Sequence, residues 1–203
     1  MSIPKNIFKN TQRAFALKSD SELDRALFLF ELIKRTSLVK IGTAFTKLFL
    51  NAHLPVERLI RATVFDHFCG GISKKDCRGI IEKMHSKNVF SVLDFSSEGK
   101  NTDEQFDLTM LKTLKNIDFA RDNKAVPFVV FKPSGFGKID LYEKVSEGHQ
   151  LSGLEALQWE RVRDRFDTVC QKAKKNKIPL LIDAEESWIQ KAADECIERM
   201  MIR

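Results

Sequence analysis

At 203 residues, with 43% hydrophobic and 31% charged side chains, the chain is long enough for a domain with a real core and is globular in composition. Lys plus Arg (34) exceed Asp plus Glu (28) by only six, and part of that excess falls in the run 172–177, at a predicted helix end where bases complement the dipole. Nucleic-acid binding needs a basic face interleaved with aromatics or a known module, and the sequence holds neither.

The N-terminal third reads as helical. Its first nineteen residues carry Lys5, Lys9, Arg13 and Lys18 without an acid, as a mitochondrial presequence does. Acids begin at Asp20 and the same helical pattern continues, so the stretch is read as part of an arm. Ser19-x-x-Glu22 is a capping box followed by Leu23, Leu27, Phe30, Leu32 and Ile33 at helical spacing. Residues 38–50 hold a second apolar face with Ile41, Phe45, Leu48 and Phe49, and a short helix is expected from Pro55 to about Arg61.

The pattern changes at Ala62, where a β-rich run over 62–69 ends at Gly70-Gly71, suited to a tight turn with positive φ. Helix over 72–87 and strand over 90–94 follow. Thr102-x-x-Gln105 caps a long helix to about Asn123, and a strand covers 127–132. After a glycine turn come a short helix near 140–146, a helix opened by Ser152-x-x-Glu155, a strand over 178–183, and a last helix capped by Ser187-x-x-Gln190. Such alternation means βαβ units and a parallel sheet. The expected organisation is a helical arm over 1–61 and, over 62–203, the first part of an α/β barrel. The last helix lacks a stop signal after Met200-Met201-Ile202-Arg203, so the chain reads as the front part of something longer.

Cys69, Cys77, Cys170 and Cys196 form no CxxC and no Cys/His pair with zinc spacing, so free thiols in a reducing compartment are expected, and no metal is. There is no secretory signal pattern and no apolar run long enough to span a bilayer.

The chemistry gathers at three strand ends. Each apolar run, expected to be buried on both faces, stops at one ionisable residue: Asp94, Lys132 and Asp183. In parallel α/β proteins that rim is where ligands bind. Lys132 could snorkel to solvent, but the strand is otherwise apolar, which favours pairing with an anionic group or forming a Schiff base. Asp183 could serve the dipole of the following helix; the Ser187 capping box leaves it free for other work. For Glu186 the helix-capping reading prevails, and for Glu185 the two readings balance. Asp94 and Glu98 lie in a strand-end loop, where they are either surface acids or a pair able to hold a cation. Gly135-Phe136-Gly137-Lys138 lacks the third glycine of a dinucleotide loop, Asp140 standing in its place, so it reads as a turn. His53, His67, His85 and His149 are scattered, and each reads as structural or exposed rather than as a ligand. A mouth lined by one lysine and several acids suits a zwitterion such as an amino acid, or a carbonyl compound attacked by Lys132.

The stretches 93–100 (LDFSSEGK), 131–137 (FKPSGFG) and 181–187 (LIDAEES) resemble, in order and spacing, proline dehydrogenase, and Phe68-Cys69-Gly70-Gly71 fits the same family. The resemblance spans roughly 60–190 and implies a distorted, TIM-like (β/α)8 barrel that holds FAD and oxidises L-proline to Δ1-pyrroline-5-carboxylate. Hydride passes to the flavin N5 and electrons pass on to a membrane quinone. It implies Lys132 as the ligand of the proline carboxylate and Asp183 as the active-site acid. Ala184 backs onto the flavin, and Asp94 and Glu98 form the acidic side of an ion-pair gate. Location is expected in the cytoplasm, with peripheral contact at the inner membrane an alternative, or in the mitochondrial matrix of a eukaryote. The family's flavin-contacting arginine and its Tyr-x-x-Arg-Arg stretch do not occur in this sequence. By that comparison the chain holds an arm and three of eight strands, and is not expected to bind FAD tightly or turn over proline alone. Its open sheet leaves an unpaired edge, an expected association site. Two further readings stand beside this one: an aldolase-type Schiff-base barrel with Lys132 as nucleophile, and a non-catalytic fragment that needs a complementary chain.

Overall fold

A computed structural model describes residues 9–52, 54–94 and 101–202. The chain divides into two compact units, Met1–Lys87 and Asn88–Arg203. Among the described residues no helix is long and apolar enough to cross a membrane.

The first unit is helical. After a short α1 (Thr11–Ala14), α2 (Asp20–Ile33) opens with the Ser19/Glu22 capping box that the sequence predicts. Then come α3 (Thr36–Asn51) and α4 (Glu57–Ile60). The β-rich run is not a strand. Arg61–Phe65 forms a π-helical turn directly after α4, and α5 (Asp66–Phe68) continues it, with Cys69 N–H donating to the Phe65 carbonyl at 2.8 Å. β-propensity expresses packing against a sheet, and among the described residues this unit has none, so local helical hydrogen bonds prevail. His67 packs edge-on against Phe30 and Phe68, a structural role as expected. Gly71 has φ +155°, and a Cβ there would lie 2.6 Å from the Asp76 Cβ, so glycine is required where the chain turns into α6 (Lys74–His85). Ser73 and Asp76 form a capping box that the sequence reading missed. The apolar face of α3 stays exposed at Leu38, Ile41, Phe45 and Leu48.

The second unit contains α7 (Asp103–Arg121), β1 (Val129–Phe131), α8 (Ile139–Glu147), α9 (Gly153–Asn176), β2 (Leu180–Ile182) and α10 (Ser187–Met201). The Thr102/Gln105 and Ser152/Glu155 capping boxes form as predicted. The Ser187/Gln190 box does not. Glu186 is the N-cap residue, Ser187 is already helical, and Gln190 donates instead to Asp194 at 2.7 Å. β1 and β2 pair in parallel, with Val129 opposite Leu180 and Phe131 opposite Ile182, while Leu93 makes a parallel bridge to Val129. Among its described residues the unit is thus a mainly helical α/β structure with a two-stranded parallel sheet and one bridge, shorter pairing than three full strands.

Burial on both faces is corrected too. Side chains alternate across a strand, and Val129 and Phe131 are 1% and 3% exposed while Phe128 is 37% exposed. Leu181, in register with Val130, is 46% exposed, and Val92 is exposed as well. Among the described residues of this unit, helices cover one face only. Beneath it, Phe131, Phe136 and Phe166 meet ring to ring at 4.7–5.5 Å, and Ile117, Val162, Val169 and Ile189 complete the core. Arg165, 3% exposed, crosses this layer: it donates to Asp103, Asp107 and the Phe136 carbonyl and lies over the Phe106 ring.

Candidate functional site

The alternation that leaves one sheet face open also decides where the strand-end charges go. Lys132 follows Val130 at the two-residue period, Asp183 follows Leu181, and Asp94 follows Val92. All three therefore continue the uncovered face past the ends of the strands. The ladder is pinned there by Asp183 N–H donating to the Phe131 carbonyl at 3.1 Å, which sets Lys132 beside Asp183.

Lys132 Nζ donates to Asp183 Oδ2 at 2.5 Å, with the lysine side chain 18% and the aspartate side chain 45% exposed. That hydrogen bond pushes the ammonium above the ordinary lysine range; burial opposes the shift, and the charges of Asp183, Asp94 and Glu185 add to it. Of the residues the sequence singles out, Lys132 and Asp183 are thus in contact and Asp94 lies within electrostatic reach. Ala184 is small and exposed immediately after Asp183. Glu98 lies outside the described residues.

The turn carrying Lys132 is built from below. Gly135 and Phe136 N–H groups donate to the Lys132 and Pro133 carbonyls at 2.9 Å each, closing a 3-10 turn over Pro133–Gly135. The fully buried Tyr142 donates its hydroxyl to the Pro133 carbonyl at 2.8 Å, and burial pushes that phenol well above its usual range, so it remains a donor. Gly137 is packed so closely that a Cβ would fall 2.4 Å from Val162 Cγ2. The glycine turn is therefore buried against α9 with its first amides engaged. It is a turn, as the sequence predicts, and its Gly135 and Phe136 amides are not free to meet a phosphate.

One contact was invisible in the sequence. Glu185 accepts from Ser134 N–H at 2.8 Å and from Ser134 Oγ–H at 2.6 Å. Its partner lies 51 positions away, and only aligning the two strand ends would have suggested it.

Chemically, the rim offers a fixed cation for an anion, and carboxylates beside it for a cation. A nucleophilic lysine needs access to its neutral amine, usually through a depressed proton affinity; the neighbours of Lys132 act in the opposite sense.

A family model described as proline dehydrogenase matches residues 77–203. The chain is 31% identical over 134 residues to the carbapenem antibiotics biosynthesis protein CarD of Pectobacterium carotovorum, covering 66% of this chain and 36% of that protein. It is 32% identical over 104 residues to proline dehydrogenase 1, mitochondrial, of Caenorhabditis elegans, covering 48% of this chain and 16% of that one. Against the probable mitochondrial proline dehydrogenase of Schizosaccharomyces pombe the identity is 22% over 215 residues, with 82% and 44% covered. The chain thus spans less than half the length of each of these relatives.

Proposed function

This chain belongs to the proline dehydrogenase family, and on that premise we propose that its strand-end rim serves the FAD-dependent oxidation of L-proline to Δ1-pyrroline-5-carboxylate, with electrons passing on to a quinone. The observation that carries the reading is Lys132, held charged among Asp183, Asp94 and Glu185 on the uncovered sheet face. Proline is a zwitterion. Its carboxylate suits Lys132 Nζ, in place of Asp183, and its ammonium suits the carboxylates nearby. In this reading Lys132 binds the substrate carboxylate, and Asp183 is the acid beside the substrate. Asp94 and Glu98 are the acidic side of a gate, and Ala184 is a small surface against the flavin. Residues 62–203 are read as the opening of a (β/α)8-type barrel with the helical arm 1–61 before it, and the sheet face left uncovered among the described residues of 88–203 as turned to its interior. By the same analogy the protein works in the cytoplasm, or in the mitochondrial matrix of a eukaryote, touching the inner membrane peripherally.

The donor set among the described residues does not fit a whole FAD. The turn amides of Ser134, Gly135 and Phe136, which could have met a pyrophosphate, are engaged by Glu185 and by the Lys132 and Pro133 carbonyls. We therefore expect the 203-residue chain by itself to purify without a stoichiometric yellow cofactor.

Ligand-observed NMR of L-proline with the purified chain tests the reading. Saturation transfer is expected with the wild type, to be lost in Lys132→Met and partly kept in Lys132→Arg. Equal transfer with Lys132→Met would overturn the assignment. So would borohydride trapping of a carbonyl compound on Lys132, which would favour a Schiff-base enzyme.

A further inference from the structure

We infer that Glu185 is a positioning residue that locks the Lys132 turn to the loop carrying Asp183, and so fixes the spacing of the two charges that meet the substrate. The inference rests on the reading of the rim given above. The family resemblance gives Glu185 no role, and the strand-end pattern leaves helix capping and function in balance for it.

The turn after β1 is held on its inner side by the Tyr142 hydroxyl on the Pro133 carbonyl and by Arg165 on the Phe136 carbonyl. Both anchors belong to helices, and neither reaches the loop after β2. The ladder itself ends at the bond between Asp183 N–H and the Phe131 carbonyl. Beyond it, among the described residues, the Ser134–Glu185 pair is the hydrogen-bonded contact that joins the two loops, apart from the Lys132–Asp183 pair whose geometry needs fixing. Glu185 uses both carboxylate oxygens on one serine, one for its amide and one for its hydroxyl. A carboxylate engaged at both oxygens by short, charge-assisted bonds is a clamp and is poorly placed to exchange protons with a ligand. Asp183, with its side chain 45% exposed, is the partner that can let go. Two carboxylates two residues apart therefore divide the work: Glu185 holds the frame and Asp183 faces the site.

Competitive acylation of the full chain, read by mass spectrometry against its other lysines, tests this. Loosening the clamp weakens the Lys132–Asp183 pair and frees the amine. Glu185→Ala should raise the relative labelling rate of Lys132 about tenfold, the factor for losing one charge-assisted hydrogen bond. Ser134→Ala, which keeps the amide donor, should raise it less. Glu185→Gln, whose amide oxygen can still accept from Ser134, should fall between wild type and Glu185→Ala. A purely structural role would lower the melting temperature without singling out Lys132 among the lysines. An unchanged relative rate in Glu185→Ala and Ser134→Ala would overturn the inference, and if Glu185→Ala fails to fold, Ser134→Ala and Glu185→Gln decide it. Proline binding is read separately. If the wild type does not bind L-proline but the variants expose Lys132, the clamp stands and the functional reading fails; if proline binds and Lys132 does not respond, the clamp fails alone.

Discussion

Glu155 accepts from Lys144 Nζ at 2.5 Å and from Ser152 N–H at 2.9 Å, joining α8 to the start of α9. The lysine bond first, then the serine amide and hydroxyl, hold its carboxyl down at about 2 instead of 4.5. Because the folded value is depressed, the stabilisation is complete above 4.5 and is lost as pH falls toward about 2. Urea midpoints measured across that window should therefore fall with pH in the wild type and fall less steeply in Glu155→Gln; parallel curves would contradict this. At this scale the sequence was readable where a single charge interrupts an apolar run, which is how Lys132 and Asp183 stand out. It misled at Ser187, because a serine three residues before a glutamine looks like a cap whether or not the helix starts one residue earlier, and here Glu186 takes that place. With that box gone, Asp183 is defined by its contact with Lys132, a stronger ground than being spare.

Among the elements, α9 carries the most consequential single side chain. Arg165 is nearly inaccessible and donates to two aspartate carboxylates and two backbone carbonyls at once. Removing it leaves the buried Phe136 carbonyl without its donor and Asp107 unpaired, while Asp103 keeps Arg161, so Arg165→Ala should cost about 1–3 kcal/mol in urea unfolding; a change within the scatter of surface substitutions would refute that network. Gly137 tests the adjoining contact. Gly137→Ala pushes a methyl into Val162 and should cost about 1–3 kcal/mol, part of it recovered when Val162→Ala is added. Helix positions and three of the four expected capping boxes were legible because both rest on local spacing. The run 62–68 was not, since valine, threonine and phenylalanine favour a sheet only where a sheet exists to pack on. Arg165 was equally hidden: on a helix rich in charge, nothing local separates a buried arginine from an exposed one.

At the scale of the whole molecule, parallel strand pairing was legible from the alternation of apolar runs and helices, while one-sided burial was not, because it depends on what covers the sheet. Among the described residues β2 has no partner on its outer side, and Leu181 stands exposed on the open face. Such an edge invites pairing between copies. Sedimentation should show concentration-dependent association that Leu181→Lys reduces; identical behaviour of the two proteins would place the association elsewhere. The same open face carries Val92, Val130 and Leu181 toward Asp94, Lys132 and Asp183, and the functional reading depends on that convergence. NMR titration of the Lys132 side chain, with labelled lysine in the wild type and in Asp183→Asn, tests it most directly. The wild-type ammonium should titrate above the ordinary lysine range and move back down in the variant. A wild-type Lys132 that loses its proton well below that range, or one indifferent to Asp183, would contradict a fixed cation paired across the strand ends.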